Sequence, residues 1–232
     1  MIPLRHTLPN ATTPIVNRAL VAANVLVFLG QLFMGRATER IIQTFGFMPA
    51  RLLDPSAFDY APWEVGITLI SSLFLHGGFV HLFGNLIYLW VFGGAIEDAM
   101  GHARFLFFYL ACGAAGSLTH TVLFPQSTVP SIGASGSIAG LLGAFLVFRP
   151  NARIVTLFPL VVYWAMAEIP ALLFLPVWFG MQFFSGFLSL QAARGTQEVA
   201  GVAWWAHVGG FLFGMIVAAI VKAIGARRRP AQ

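Results

Sequence analysis

Long apolar stretches separated by short polar segments form the main pattern of this chain. A helix of roughly 20 apolar residues crosses a hydrocarbon core of about 30 Å. We place six such spans at about residues 15–34, 79–97, 104–124, 135–148, 170–190 and 203–224. The pattern predicts an all-α polytopic membrane protein, in which residues 1–232 form one six-helix transmembrane domain with no additional soluble domain.

The segment between the first two spans, residues 35–63, differs from the other connections. It mixes apolar residues with charged ones and contains proline. Such a mixture suits short helices that lie flat on a membrane surface better than it suits a further span. We therefore expect a large first loop folded at the membrane surface.

The composition also indicates a membrane protein. Hydrophobic residues make up 58% of the chain and charged residues 9%, against about 45–50% and about 25% in an average soluble domain. The net charge of +5 is not gathered into a patch on a soluble domain, so we expect the lipid bilayer and no nucleic acid as a partner. The single cysteine, Cys112, excludes an internal disulfide and any multi-cysteine metal site. We expect neither a metal nor a cofactor.

The distribution of basic residues predicts the orientation of the spans. If the N-terminus lies inside, nine of the 13 lysine and arginine residues fall on inner segments and four on outer segments. An excess of basic residues marks the cytoplasmic side. We therefore expect both termini in the cytoplasm, with the chain in a bacterial inner (plasma) membrane.

Four polar residues lie at a similar depth in the second, fourth and sixth spans. Counted back from the inner boundary of its span, Ser135 lies 14 residues away, His207 15, His81 16 and Asn85 12. At about 1.5 Å per residue, all four come within about 6–12 Å of the outer face of the core. Polar side chains at that depth mark either a functional site or hydrogen bonds between helices.

Small residues allow the fourth and sixth spans to approach closely. The pairs Gly136-x-x-x-Gly140 and Gly210-x-x-x-Gly214 each place glycines on one helical face, a spacing typical of tightly packed membrane helices. Such packing would bring Ser135 and His207 within hydrogen-bond reach.

A serine hydroxyl becomes a strong nucleophile when a neighbouring base accepts its proton. His207 can be that base for Ser135, since a neutral imidazole accepts at one nitrogen. No aspartate or glutamate occurs at this depth, so we expect a Ser–His dyad whose imidazole is oriented by packing. Ser137 is the rival nucleophile, but two residues along a helix turn it about 200° away.

Hydrogen-bond donors are expected beside the serine. Ser135 lies in Gly133-Ala-Ser135-Gly136, at the start of a helix, where backbone N–H groups are free and the helix dipole is positive. These groups, with Gly133 among them, suit the oxyanion that forms when a hydroxyl attacks a carbonyl. His81 and Asn85 lie four residues apart on one helical face and can add side-chain donors.

Three short motifs in this order resemble the rhomboid intramembrane serine proteases. They are His81-Leu-Phe-Gly-Asn85 with the following Gly93-Gly94-Ala-Ile-Glu97, then Gly133-Ala-Ser135-Gly136, then Ala206-His207-Val-Gly-Gly210. With the six-span layout, the resemblance covers nearly the whole chain. It implies Ser135 as nucleophile, His207 as general base, and Asn85, His81 and the Ser135 N–H around the oxyanion. It also implies transmembrane protein substrates that are cut near their outer end.

The chain departs from that family at two places. Many members carry a Trp-Arg pair in the first loop, where this chain has Trp63-Glu64 at a different spacing. Members often have an aromatic residue one turn after the serine, beneath the histidine ring, and this position is Ala139. We therefore expect support for His207 from Trp204, Trp205 or Phe211.

Two other functions are open at this stage. A catalytically silent relative would bind and escort membrane proteins on the same scaffold, although the presence of both Ser135 and His207 disfavours it. A small-solute transporter would need inverted repeats or a charged pair in mid-membrane, and the sequence has neither.

The protease hypothesis carries expectations about substrates and access. A peptide carbonyl within a helix is hydrogen-bonded, so the cleaved segment must first unwind. We predict glycine or proline near the cut and a small residue on its N-terminal side. The fifth span and the loop at residues 191–202 are candidate lids, because the span begins at Pro170 and carries Gly180 and Gly186.

Overall fold

The computed structural model describes residues 1–159, 164–193 and 202–227. Most of these residues are helical. The helices are α1 (Ile15–Met34), α2 (Thr38–Phe45), α3 (Pro49–Leu53), α4 (Pro62–Ser71), α5 (Phe79–Met100), α6 (His102–Leu123), α7 (Ser135–Phe148), α8 (Ala171–Ala192) and α9 (Trp204–Arg227). Three short strands join them: β1 (Ile2–His6), β2 (Arg153–Pro159) and β3 (Trp164–Pro170).

Within these ranges, five helical stretches are long and apolar enough to cross a membrane. One is the continuous stretch Ile15–Phe45, which begins with α1, and the others lie in α5, α6, α8 and α9. The fold is thus a polytopic helical bundle. The apolar helix α7 has 14 residues and is about 21 Å long, shorter than the hydrocarbon core, so a total of six spans stays a prediction.

Helix α7 is the centre of the bundle. Residues 136–145 of this helix are all buried, and α5, α6 and α9 pack around it. Its sequence explains the position, because it alternates glycine and alanine with aliphatic residues and phenylalanine and has no charged residue. A helix that is apolar on every face is stable where neighbours cover every face.

The glycines of α7 and α9 face each other across a very close contact. A Cβ added at Gly210 would overlap the carbonyl oxygen of Gly136, and one added at Gly214 would overlap that of Gly140. The two helical backbones therefore touch directly. This contact sets the distance between the start of α7 and the start of α9, where Ser135 and His207 lie.

Acidic residues near the end of α5 hold the start of α1. The fully buried Glu97 accepts the backbone N–H groups of Val16 and Asn17 at 2.9 and 2.7 Å. A carboxylate at a helix N-terminus satisfies free N–H groups and favours the helix dipole. The neighbouring Asp98 forms an ion pair of 2.8 Å with Arg149, which follows α7. These contacts join α1, α5 and α7 at one end of the bundle.

The first loop contains the short helices α2, α3 and α4, and Arg51 is its internal anchor. Its guanidinium group is buried and donates to the carbonyl oxygens of Gln43 and Thr44 at 2.7 and 3.3 Å. The same group lies 4.1 Å from the ring centroid of Tyr60, a favourable cation–π position. By contrast, Trp63 is largely exposed. The contacts that hold these short helices together therefore involve Arg51 rather than Trp63.

The β-sheet is a feature that the apolar pattern alone does not predict. Its strands pair antiparallel in the order β1-β2-β3, at the end of α7 opposite Ser135. The apolar run that contains β2 and β3 has the composition of a buried helix segment, and a short apolar run can form either structure. The segment after α7 is therefore a strand pair rather than a plain linker, and α8 begins at Ala171.

Candidate active site

Ser135 and His207 form a hydrogen bond at the N-terminal ends of two packed helices, α7 and α9. Ser135 is the first residue of α7, and His207 lies in the first turn of α9. The distance from Ser135 Oγ to His207 Nε2 is 2.7 Å, although 72 residues separate them in the chain. An oxygen and a ring nitrogen at this distance can share a proton. His207 is buried and Ser135 is half-buried.

The second nitrogen of the His207 ring contacts Gln182 on α8. Gln182 Oε1 lies 2.8 Å from His207 Nδ1. Because an amide oxygen only accepts, Nδ1 must carry the proton, and Nε2 presents its lone pair to the Ser135 hydroxyl. The expectation that packing alone orients the ring is therefore wrong. The signal in the sequence is a glutamine near the middle of a mostly apolar span.

Aromatic rings also border the imidazole. Trp204 lies edge-on to His207 with centroids 6.0 Å apart, and Trp178 of α8 lies 6.2 Å away at an angle of 35°. Trp205 instead donates its indole N–H to the carbonyl of Gly186, and Phe211 packs on Trp178. Of the three aromatic residues expected to support His207, Trp204 is the one whose ring borders it.

Asn85 is held in place through a chain of contacts that reaches α1. Its amide Nδ2 lies 2.9 Å from His76 Nε2, and His76 Nδ1 lies 3.2 Å from the Phe74 carbonyl oxygen. His76 is therefore protonated at Nδ1 and accepts at Nε2. Gln31 of α1 bonds to both the N–H and the C=O of His76 at 3.0 Å. One N–H of the Asn85 amide is thus fixed, and the second has no partner among the described residues, so it can serve a ligand.

His76 lies in the loop before α5, outside the spans. Burial, together with the neighbouring His81, lowers the pKa of His76 to about 4. The imidazole is therefore neutral at physiological pH, which its accepting contact with Asn85 requires. His76 is thus a structural support that joins α5 to α1 through its contacts with Asn85 and Gln31.

His81 and Gly133 are in contact, but only His81 has an N–H that can donate a hydrogen bond to an oxyanion. His81 Nδ1 accepts the Gly77 N–H at 3.4 Å, which leaves Nε2 as the protonated nitrogen. The N–H of Gly133 is bonded to the Ser72 carbonyl at 2.8 Å. The expectation that Gly133 donates to an oxyanion is therefore wrong. Its φ of +114° favours glycine, and a Cβ there would lie 2.6 Å from His81 Nε2.

A cavity of about 970 Å³ opens beside these residues. Its lining includes Ser135, His207, His81, Asn85, Gly133 and Gly136. The cavity also touches Gly113 and Ser117 of α6. A concave, largely apolar site with a few convergent polar groups is typical of a ligand-binding site.

Ser137 has a different environment from Ser135. It is fully buried, and its hydroxyl lies where a Cβ on Gly113 of α6 would project. It does not line the cavity. Another polar residue of α6, His120, has its ring centroid 5.1 Å from that of Phe124. The geometry therefore favours Ser135 over Ser137 as the reactive hydroxyl.

Two further predictions concern the glycine pairs and the candidate lids. The pairs Gly136–Gly140 and Gly210–Gly214 lie in the contact between α7 and α9. Of the proposed lids, α8 carries Pro176 inside the helix, whereas residues 194–201 of the loop before α9 lie outside the described residues.

The arrangement is suited to acyl transfer. Ser135 Oγ can attack a carbonyl carbon while His207 Nε2 accepts its proton. The Asn85 amide, the His81 N–H and the first backbone N–H groups of α7 border the same cavity. Donors placed in this way stabilise the oxyanion of a tetrahedral intermediate.

Relatives of this chain carry rhomboid names. The chain is 46% identical to Rhomboid protease GluP of Bacillus subtilis (strain 168) over 85 residues, which are 37% of this chain and 16% of that protein. It is 44% identical to RHOMBOID-like protein 5 of Arabidopsis thaliana over 78 residues, which are 34% of this chain and 25% of that protein. It is 31% identical to RHOMBOID-like protein 6, mitochondrial, of Arabidopsis thaliana over 152 residues, which cover 55% of this chain and 49% of that protein. The chain thus spans less than half the length of each of these relatives.

The match to a family model is more extensive. A model described as Rhomboid domain covers residues 63–224. This range includes α5 to α8, all but the last three residues of α9, and all of the residues that border the cavity next to Ser135 and His207. The order of the three motifs, the helical bundle and this match agree with one another. The chain belongs to the rhomboid family.

Proposed function

We propose that the protein is an intramembrane serine endopeptidase that cleaves transmembrane helices by a Ser–His dyad. The observation that supports it best is the 2.7 Å contact between Ser135 Oγ and His207 Nε2 at the wall of a cavity. Two similar proteins of Bacillus subtilis are named as proteases, which also supports this proposal. The activity needs no metal and no cofactor.

The reaction begins with attack on the substrate carbonyl. Ser135 Oγ forms a bond to the carbonyl carbon, and His207 Nε2 takes the hydroxyl proton. The resulting oxyanion accepts hydrogen bonds from the Asn85 amide, the His81 N–H and the Ser135 backbone N–H. His207 then gives its proton to the leaving amine, which releases the first product and leaves an acyl group on Ser135. Water, activated by His207, hydrolyses that ester.

The depth of the site suggests which substrates reach it. Ser135 begins the short helix α7, so the cavity lies near one membrane face, and water can enter from that side. A transmembrane substrate would be cut near the corresponding end, where a helix with glycine or proline unwinds most easily. We further propose that this face is the outer one, in a bacterial inner membrane with both termini in the cytoplasm.

The proposal is tested with purified full-length protein in detergent and a model substrate containing one transmembrane segment. We expect a single cut near the outer end of that segment, located by mass spectrometry of both products. Leucine in place of glycine and proline near the cut is the matched control, and it should slow cleavage because the segment stays helical. Absence of any cleavage across several such substrates would favour the silent escort function instead.

Asn85 should contribute to rate rather than to binding. We expect Asn85→Ala to lower kcat by about 10²-fold, the usual loss for one oxyanion donor, with little change in KM. Steady-state kinetics on the same substrate measure this split. Thr121→Val is the control, because Thr121 is buried on α6 and, within the part of the chain that the structure describes, its hydroxyl bonds only to the Ser117 carbonyl of its own helix. An Asn85→Ala enzyme with the parent kcat would remove Asn85 from the proposed oxyanion site.

A further inference from the structure

We propose that Gln182 on α8 is the positioning residue that holds His207 in its base-competent form. This inference rests on the proposed function. It makes the dyad depend on a third helix, because the base lies on α9 and the nucleophile on α7, while the group that orients the base lies on α8. The dyad is complete only when α8 lies against α9.

One face of α8 is specialised for this contact. Trp178, Gln182 and Gly186 follow one another at intervals of four residues, so they lie on one side of the helix. Trp178 borders the His207 ring, and Gly186 lets the side chains of Trp204 and Trp205 approach, since a Cβ there would lie 3.0–3.4 Å from their atoms. Gln182 is the polar member of this face, directly opposite His207.

Gln182 is buried, whereas the residues on either side of it in α8 are exposed. Gln182 is 8% exposed, whereas Met181 is 45% and Phe183 49% exposed. A polar side chain in an apolar span is costly unless it has a partner. The partner of its Oε1 atom is His207 Nδ1, the nitrogen that faces away from Ser135.

The contact determines how the proton is distributed on the ring. With Nδ1–H donated to an amide oxygen, the neutral ring accepts at Nε2, and the imidazolium formed during the reaction keeps the same hydrogen bond. Without this acceptor, the proton is free to move to Nε2, where it blocks acceptance of the Ser135 proton. The two tryptophan rings restrict the ring position, but they do not choose between its nitrogens.

The alternative role of Gln182 is a simple hydrogen bond that joins two helices. Such bonds contribute to the stability of membrane proteins. A purely stabilising bond affects the amount of folded protein, whereas an orienting bond affects the rate of each folded molecule. Kinetic constants and the reactivity of Ser135 therefore distinguish the two roles.

The experiment compares the parent with three variants. Gln182→Met removes the acceptor and keeps the length of the side chain, whereas Gln182→Glu keeps an acceptor oxygen. Met181→Leu is the matched control on the exposed side of α8. For each protein, we would measure kcat and KM on the transmembrane substrate, the rate at which a small alkyl fluorophosphonate labels Ser135, and the unfolding temperature.

We expect Gln182→Met to lower kcat and the labelling rate together by roughly 10- to 100-fold, part of the contribution of a positioned base, with KM unchanged. Gln182→Glu should recover most of both rates, and Met181→Leu should match the parent. The inference is overturned if Gln182→Met keeps the parent kcat and labelling rate, or if Gln182→Glu loses as much as Gln182→Met. A parent that neither cleaves nor becomes labelled would instead disprove the protease function, and the role of Gln182 with it.

Discussion

Replacing Ser135 by alanine is expected to abolish cleavage of a transmembrane substrate, with a loss on the order of 10⁴-fold or more. The reason is chemical, because alanine has no oxygen to form the acyl intermediate, and no other hydroxyl lies at hydrogen-bond distance from His207 Nε2 among the described residues. The substitution removes one half-buried atom, so the protein should remain folded. The measurement is product formation over many hours with purified protein.

Ser137→Ala is the matched control for this result. It removes the same atom two residues away, from a hydroxyl that does not line the cavity, and should keep cleavage near the parent rate. His207→Ala should reduce cleavage about as far as Ser135→Ala, because two members of one catalytic unit do not act additively. Full activity of the Ser135→Ala protein, or loss of activity only in Ser137→Ala, would contradict the assignment of the nucleophile.

The second large effect concerns stability. We expect Gly214→Val to destabilise the fold by about 2–3 kcal/mol, or about 4–12 °C in the unfolding temperature of a chain of this size. A Cβ at Gly214 overlaps the backbone of α7 at Gly140. Since backbone atoms cannot rotate away as a side chain can, α7 and α9 must separate. Thermal unfolding in detergent, followed by helical circular dichroism, measures the change.

Gly180→Val is the control for the second prediction. Gly180 also lies within an apolar helix, but nothing lies within 4 Å of a Cβ added there. The same change of residue type should therefore leave the unfolding temperature almost unaltered. If both variants unfolded at the parent temperature, the direct backbone contact between α7 and α9 would not be needed for stability.

Much of the helical layout follows from the sequence because membrane spans obey strong rules. Apolar stretches between polar segments mark the helices, and α7 begins at Ser135, where a small-residue turn with Gly133 precedes it. The strands are harder to predict, since β2 and β3 lie in a mostly apolar run that could also form a helix. Strand β2 pairs with β1, and the paired residues are 148 to 155 positions apart in the chain.

The same holds for the site: features that depend on residue spacing can be predicted from the sequence, and features that depend on tertiary packing cannot. The proximity of Ser135 and His207 can be anticipated, because glycine spacing predicts which helices approach and counting predicts depth. The hydrogen-bond partners of the site residues cannot be predicted from glycine spacing or from depth. Gln182 and His76 act through hydrogen bonds whose geometry depends on how α8 and the first loop pack. The occupied N–H of Gly133 is likewise visible only once the Ser72 carbonyl is in place.

The pairing of β1 with β2 has a practical consequence for handling the protein. Strand β1 covers one side of β2, and without it β2 would present a row of unsatisfied N–H and C=O groups. Open strand edges invite pairing with other molecules. Trimming the first six residues, or crowding them with a bulky affinity tag, would thus encourage self-association at a place remote from Ser135, and purification handles are better attached elsewhere.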